Sequence, residues 1–277
     1  MKKLFYQFMV MMGFGIISQG LMAQNSNSEY APSPAANPIN LKIAGSNHIS
    51  STNPGNSVQA LWDIRFNYGF EAASGVPSSA GICFANKRFI VSKWNAADTV
   101  TVFDSAGNFI QKRRISNAGA IRSMTFDGTF IYAGNATTTI TVINPVSLTR
   151  VRQFTVPASV GAVRWVTYNP AGNGGLGSLF VGDFNTAIFE VSIPTGTSAV
   201  LLGSIPAATH GLAGMYGMAY ESAGPNSKFW AHCQNDPVSG ATSQSVIAQL
   251  DAQGVQTGVY RNMQTDAGAA GIAGGIF

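Results

Sequence analysis

The residues of this chain best able to do chemistry are few and scattered. His48, His210 and His232 show no paired-histidine metal spacing, and no serine sits in a Gly-x-Ser-x-Gly nucleophile setting. Cys83 and Cys233 fall in widely separated parts of the chain. A disulfide needs Cα atoms within about 7 Å, so these read as two buried thiols. What does recur is polar and aromatic. Asn95, Asn135, Asn185 and Asn235 come at intervals of 40 and 50 residues. Arg122 in "GAIR" and Arg164 in "GAVR" each follow a glycine by three. Trp94, Asp98, Asp183, Phe184 and Asp236 stand beside the asparagines. Amide, carboxylate, guanidinium and aromatic groups brought to one face suit a glycan or a protein loop. The bland reading stands next to it: an asparagine caps its own turn with an Asx hydrogen bond and tolerates left-handed backbone. A divalent cation is the other chemistry, since Asn135, Asp183 and Asn185 offer oxygens of the kind Ca²⁺ accepts. No glutamate is placed to complete such a set, and Glu71 lies outside the repeats described next. No catalytic residue and no metal ligand set is therefore assigned, and no cofactor is expected beyond this unsupported Ca²⁺ option.

The elements that position these residues repeat. "FDGTFIYAGNATTTITVINP" has relatives upstream in "FANKRFIVSKWNAADTVTVFDSAGN" and downstream in two further stretches beginning at residues 168 and 220. Each reads aromatic, turn, apolar strand, polar loop, alternating strand, turn. Each follows a run led by Gly81, Gly119, Gly161 or Gly214, at intervals of 38, 42 and 53 residues. Four short strands per unit and no helical period predict a β-propeller, whose blades bury their faces against neighbours. The blades are expected at about 80–117, 118–158, 160–207 and 212–263. Reversal at every turn brings the start of each first strand and the end of each second strand to one rim. On that rim lies the candidate ligand-binding set of Trp94, Asn95, Arg122, Asn135, Arg164, Asp183, Asn185 and Asn235. The basic runs "QKRR" and "RVR" fall on outermost strands, where charge guards an exposed edge, so nucleic acid is not an expected partner.

Composition agrees. Charged residues are 10% of the chain, against about 25% usually. Residues 1–23 carry Lys2 and Lys3, an apolar core and a small residue at Ala23, the pattern of a cleaved export signal rather than a membrane span. Cleavage would take the 16 basic residues to 14 against 12 acidic, net +2, so the basic balance implies no special partner. Residues 24–57 read as a flexible Asn/Ser/Pro-rich linker. "LWDIRFNY", residues 61–68, alternates as a half-buried leading strand. The final "GIAGGIF", residues 271–277, repeats the spacing of "GMYGMAY" and is expected to begin a fifth blade. The ring is accordingly expected to be incomplete, a fragment of a longer protein. Its last blade would expose Phe229, Trp230, Ile247 and Leu250, and Trp62, Ile64 and Phe66 would lack partners.

From "LWDIRFNY" through "IRSMTFDGTFIYAGN" and "INPVSLTRV" to "GIAGGIF", over about residues 58–277, the chain resembles secreted propeller proteins of the broad YVTN/NHL-like type exported by type IX secretion systems. Those proteins often end in a small C-terminal sorting domain, absent here, so engagement of that export machinery is what the resemblance implies. The sequence as a whole predicts a secreted or cell-surface, non-catalytic binding or scaffold module. Its expected partner is a glycan or protein. The alternative is a metal-dependent propeller hydrolase or lactonase with Asn and Asp ligands above the central channel.

Overall fold

Runs such as "RFIVSK" and "TITVI" carry large apolar residues in succession, so both strand faces need a neighbour. A computed structural model, describing residues 61–62, 67–94, 98–264 and 275–277, supplies those neighbours. Among the described residues, sixteen strands form four antiparallel four-stranded sheets arranged as a four-bladed β-propeller. Blade 1 holds β1 (Ser79–Ala85), β2 (Arg88–Lys93), β3 (Thr99–Asp104) and β4 (Phe109–Arg114). Blade 2 holds β5 (Ser123–Phe126), β6 (Ile131–Gly134), β7 (Thr139–Ile143) and β8 (Arg150–Thr155). Blade 3 holds β9 (Trp165–Asn169), β10 (Ser178–Gly182), β11 (Ile188–Ser192) and β12 (Leu201–Ile205). Blade 4 holds β13 (Met215–Glu221), β14 (Lys228–Cys233), β15 (Val246–Asp251) and β16 (Gln256–Asn262).

The turns explain the meander. Asp104, Asn144 and Asp251 stand at the ends of third strands, and each side-chain oxygen accepts two backbone N–H groups of the following turn. These Asx turns send the chain back into the outermost strand. The outermost β4 is exposed along its whole length, while β2 and β3 are almost wholly buried. Membrane passage is not a feature of the helices: among the described residues none is long and apolar enough to span a bilayer.

The core lies between blades. Ile90 and Val102 of blade 1 meet Met124 and Ile131 of blade 2. Val142 and Phe154 of blade 2 meet Leu179 and Val181 of blade 3, and Phe180 of blade 3 meets Met218 and Phe229 of blade 4. Each such side chain contributes about 1.5–3 kcal/mol by leaving water. Phe229 and Leu250 are therefore fully buried, contrary to the sequence expectation. They pair across β14 and β15 on one face, and alternation turns Trp230 and Ile247 to the other.

Around the channel β1 packs on β5, β5 on β9 and β9 on β13, with no comparable contact between β13 and β1 among the described residues. This fourth seam is filled differently. Helix α1 (Phe70–Ser74) lays Phe70 on Phe103 with ring centroids 4.5 Å apart, and Tyr68 and Ala73 complete the cover of blade 1. On the blade 4 side, Trp62 stands edge-on to Trp230 at 5.8 Å. Phe277 approaches Phe89, and the Gly275 N–H donates to the Ala80 carbonyl at 2.7 Å. A Cβ on Gly275 would lie 2.7 Å from the Gly81 Cα, so only glycine permits this approach. Of the expected leading strand, residues 63–66 lie outside the described residues, and 61, 62, 67 and 68 are in no strand. The export signal, the linker and residues 271–274 of the expected fifth blade also lie outside them.

The repeat register needs one correction. Gly119, Gly161 and Gly214 adopt φ of 75°, 72° and 66°, but Gly81 lies inside β1. Its place as lead residue is taken by Ser78, at φ 64°. The hydrogen bonding agrees: Trp94 N–H donates to Ser78 C=O just as Gln234 N–H donates to Gly214 C=O.

Candidate functional site

The rim that carries the lead residues opens on a cavity of about 310 Å³ at the mouth of the channel. Trp94, Arg122, Arg164 and Tyr216 line it together with Glu71, Ser78, Ser79 and Ala80. Two equivalent backbone bonds set the arginines. Arg122 N–H donates to Gly134 C=O at 2.8 Å, and Arg164 N–H donates to Gly182 C=O at 2.9 Å. Each guanidinium then lies over an aromatic ring, Arg122 at 3.9 Å from the Trp94 centroid and Arg164 at 3.8 Å from that of Phe184. Such contacts are worth about 0.5–2 kcal/mol, more as water is excluded. Tyr216 sits between the two stacks, 4.6 Å from Phe184 and 6.2 Å from Trp94.

The two cations differ in their partners. Arg164 Nε donates to Asp183 Oδ1 at 3.0 Å, and the same oxygen accepts the Phe184 N–H at 2.8 Å. Arg122 Nη1 donates to the Trp94 carbonyl at 2.9 Å, and no carboxylate pairs with it among the described residues. Burial, and then repulsion from Arg164, pulls the Arg122 pKa below its ordinary value. A guanidinium remains charged regardless.

Helix α1 contributes Glu71 to the lining. Glu71 Oε1 accepts the Ser79 N–H at 2.6 Å, which ties the helix to the first strand of blade 1. Beneath it Lys93 is 1% exposed, and its Nζ donates to Val76 C=O at 2.8 Å and to Ser79 Oγ at 3.1 Å. Burial lowers the Lys93 pKa, opposed by the Glu71 charge.

Of the residues singled out in the sequence, Trp94, Arg122 and Arg164 line the cavity, and Asp183 braces Arg164. Asn95 lies outside the described residues. The asparagines at 135, 185 and 235 contact other residues of the protein. Asn135 Oδ1 accepts from Thr137 N–H at 3.2 Å and Thr137 Oγ1 at 2.6 Å. Asn185 Oδ1 accepts from Gly214 N–H at 2.8 Å, and Asn235 packs beside the same glycine. Asp98 pairs with Arg114, and Asp236 accepts two turn amides. Of the oxygens considered for Ca²⁺, Oδ1 of Asn135, Asp183 and Asn185 thus accepts hydrogen bonds within the protein, and the Arg164 guanidinium pairs with Asp183. Among the described residues no three His, Cys, Asp or Glu side chains converge on a metal position. Cys83 and Cys233 are free and buried, with thiol pKa values pushed up to about 12 by burial.

Sequence reasoning missed Tyr216 and Glu71. A register irregularity between Met215 and Gly217 in β13 shifts the position that holds arginine in blades 2 and 3. Counting from the lead glycine therefore lands on Gly217 rather than on the tyrosine. Glu71 belongs to no repeat, and the signal that could have found it is the short "FEAAS" helix ahead of the first strand.

No family model matches the chain, and no curated protein matches it. Similar solved structures include the glutaminyl cyclase of Myxococcus xanthus, with TM-score 0.46 and 16% identity over 65% of this chain and 71% of that one. The hydrazine synthase of Kuenenia stuttgartiensis gives TM-score 0.43 and 16% identity over 68% of this chain and 49% of that one. The β-propeller domain of Myceliophteria thermophila Cps50 (Swd1) gives TM-score 0.39 and 15% identity over 72% of this chain and 58% of that one. At these identities the likeness is one of fold alone.

Proposed function

We propose that this chain is an exported, non-catalytic binding module that takes its ligand at the channel mouth. The observation that carries the reading is Arg122, a stacked, partly buried cation with no carboxylate partner among the described residues, on the wall of an open cavity. Binding residues commonly sit where loops meet a rigid scaffold, and a pocket with aromatic walls and a few convergent polar groups is the usual small-ligand site. A volume of about 310 Å³ is at the lower end of such sites, about 300–1,000 Å³. Export is supported by the signal-like residues 1–23. A cell-surface glycan or protein is the partner class. Probing glycan and peptide arrays with the full chain and its Arg122→Gln variant tests the proposal. Specific binding that the substitution abolishes is expected. Turnover of a sugar, lactone or peptide by the purified chain would reject it.

A further inference from the structure

The walls of the cavity restrict the ligand further. A guanidinium carries five N–H donors, and among the described residues only one donor of Arg122 meets a protein acceptor. Arg164 likewise commits Nε to Asp183, with no acceptor for its terminal nitrogens among the described residues. No buried side-chain nitrogen or oxygen lacks a partner there, so these free donors are in reach of water. Both side chains line the cavity, which makes that open space the place where the donors are available. An oxyanion answers them, a carboxylate above all, because the planar fork matches its geometry.

Glu71 and Ser79, in the same lining, ask for something else. Glu71 uses Oε1 on the Ser79 amide, and Ser79 Oγ accepts from Lys93, which leaves the serine's own proton to donate. A carboxylate acceptor beside a hydroxyl donor suits ligand hydroxyl groups, which both give and accept. Beside the two arginines, Tyr216 offers an aromatic surface flanked by two cation-covered rings. An inorganic anion supplies only the charge. A fatty acid lacks the hydroxyls. An acidic peptide side chain supplies a carboxylate but no hydroxyl groups beside it. A sugar ring with a carboxylate supplies all three features.

Resting on the binding-module reading above, we infer that the channel mouth holds the carboxylate-bearing ring of an acidic glycan, a uronic acid. The carboxylate sits at Arg122 and Arg164, the ring hydroxyls at Glu71 and Ser79, and the C–H face on Tyr216.

Calorimetric titration of the full chain with four probes tests this. They are a galacturonic acid trimer, its neutral galactose counterpart, a glutamate-rich hexapeptide and inorganic sulfate. The acidic trimer is expected to bind at least about tenfold more tightly than each of the others, with an advantage that shrinks as salt rises. Arg122→Gln is expected to remove that advantage. Should this variant fold poorly, Arg122→Lys keeps the charge but not the fork, and an intermediate loss is expected. Equal or tighter binding of the neutral trimer overturns the acidic class and leaves the binding module standing. A tighter hexapeptide, or sulfate of equal affinity, overturns the uronic acid in favour of a peptide or a simple anion site. Failure of every probe overturns the inference, and the arrays decide separately whether the module binds elsewhere.

Discussion

Arg122 and Arg164 occupy the same place in successive blades, and their surroundings differ in a way that separates scaffold from site. The Arg164 corner is closed. Its guanidinium pairs with Asp183, its neighbour Trp165 is fully buried, and the Trp165 indole N–H donates to the Asp183 carbonyl at 3.2 Å. At the Arg122 corner the neighbour is Ser123, whose Oγ accepts the Val166 N–H at 3.2 Å, and the guanidinium faces no carboxylate among the described residues. One repeat position thus serves two ends. In blade 3 the charge pairs with Asp183, and in blade 2 it meets no carboxylate among the described residues, which is the difference the proposed binding role rests on.

Breaking the comparison at its most buried point gives the largest expected effect. Trp165→Ala empties the space beneath the closed corner and is expected to cost about 3–5 kcal/mol. The matching Ser123→Ala removes the hydrogen bonds that Ser123 Oγ makes with the Val166 N–H and C=O and is expected to cost about 1–2 kcal/mol. Urea denaturation midpoints of the two variants check the contrast. A smaller difference is expected between the arginines themselves. Arg164→Gln leaves Asp183 partly buried without its cation, for a loss of about 1–2 kcal/mol after allowing for its solvent exposure. Arg122→Gln loses one stack and one hydrogen bond but also the repulsion from Arg164, so its cost is expected below about 1 kcal/mol. Equal losses would erase the distinction between the two corners.

The sequence made this contrast only half visible. The offset of three from glycine picked out both arginines, and proximity to the repeated asparagines picked out Trp94 and Phe184. Periodicity carried the four blades because inter-blade burial demands apolar residues on both strand faces. Side-chain pairing was hidden, since "GAIR" and "GAVR" look alike while only one meets an aspartate. Tyr216 was obscured by the irregularity in β13, which slips the register against the repeat. Ser78 was masked because glycine is the expected holder of a positive φ, and a serine took it instead. Phe229 and Trp230 were grouped on one exposed face although adjacent strand residues must point oppositely.

The smallest expected effect sharpens the comparison through pH. His210 is fully buried, its Nδ1 accepts the Leu212 N–H, and its Nε2 donates to Thr186 C=O in the loop that follows Asp183. Burial lowers its pKa, with the Thr186 bond opposing. The unfolded chain, with an ordinary value of about 6.5, therefore takes up the proton first. Stability from this histidine is complete above about pH 6.5 and is lost as pH falls through the lower folded value. Thermal melts from about pH 7.5 to 5 are expected to show a falling midpoint in the parent and a shallower fall in His210→Asn. Identical slopes would remove His210 as the anchor of the closed corner.

The claim at the centre is that Arg122 anchors the ligand while Arg164 chiefly maintains the rim. Affinity for the ligand selected on the arrays, measured by calorimetry in the parent, Arg122→Gln and Arg164→Gln at matched folded fraction, tests it most directly. Arg122→Gln is expected to lose at least about tenfold in affinity, equivalent to about 1.4 kcal/mol, with its melting temperature nearly unchanged. Arg164→Gln is expected to melt earlier and lose less affinity. An Arg122→Gln protein that binds as tightly as the parent would contradict the account.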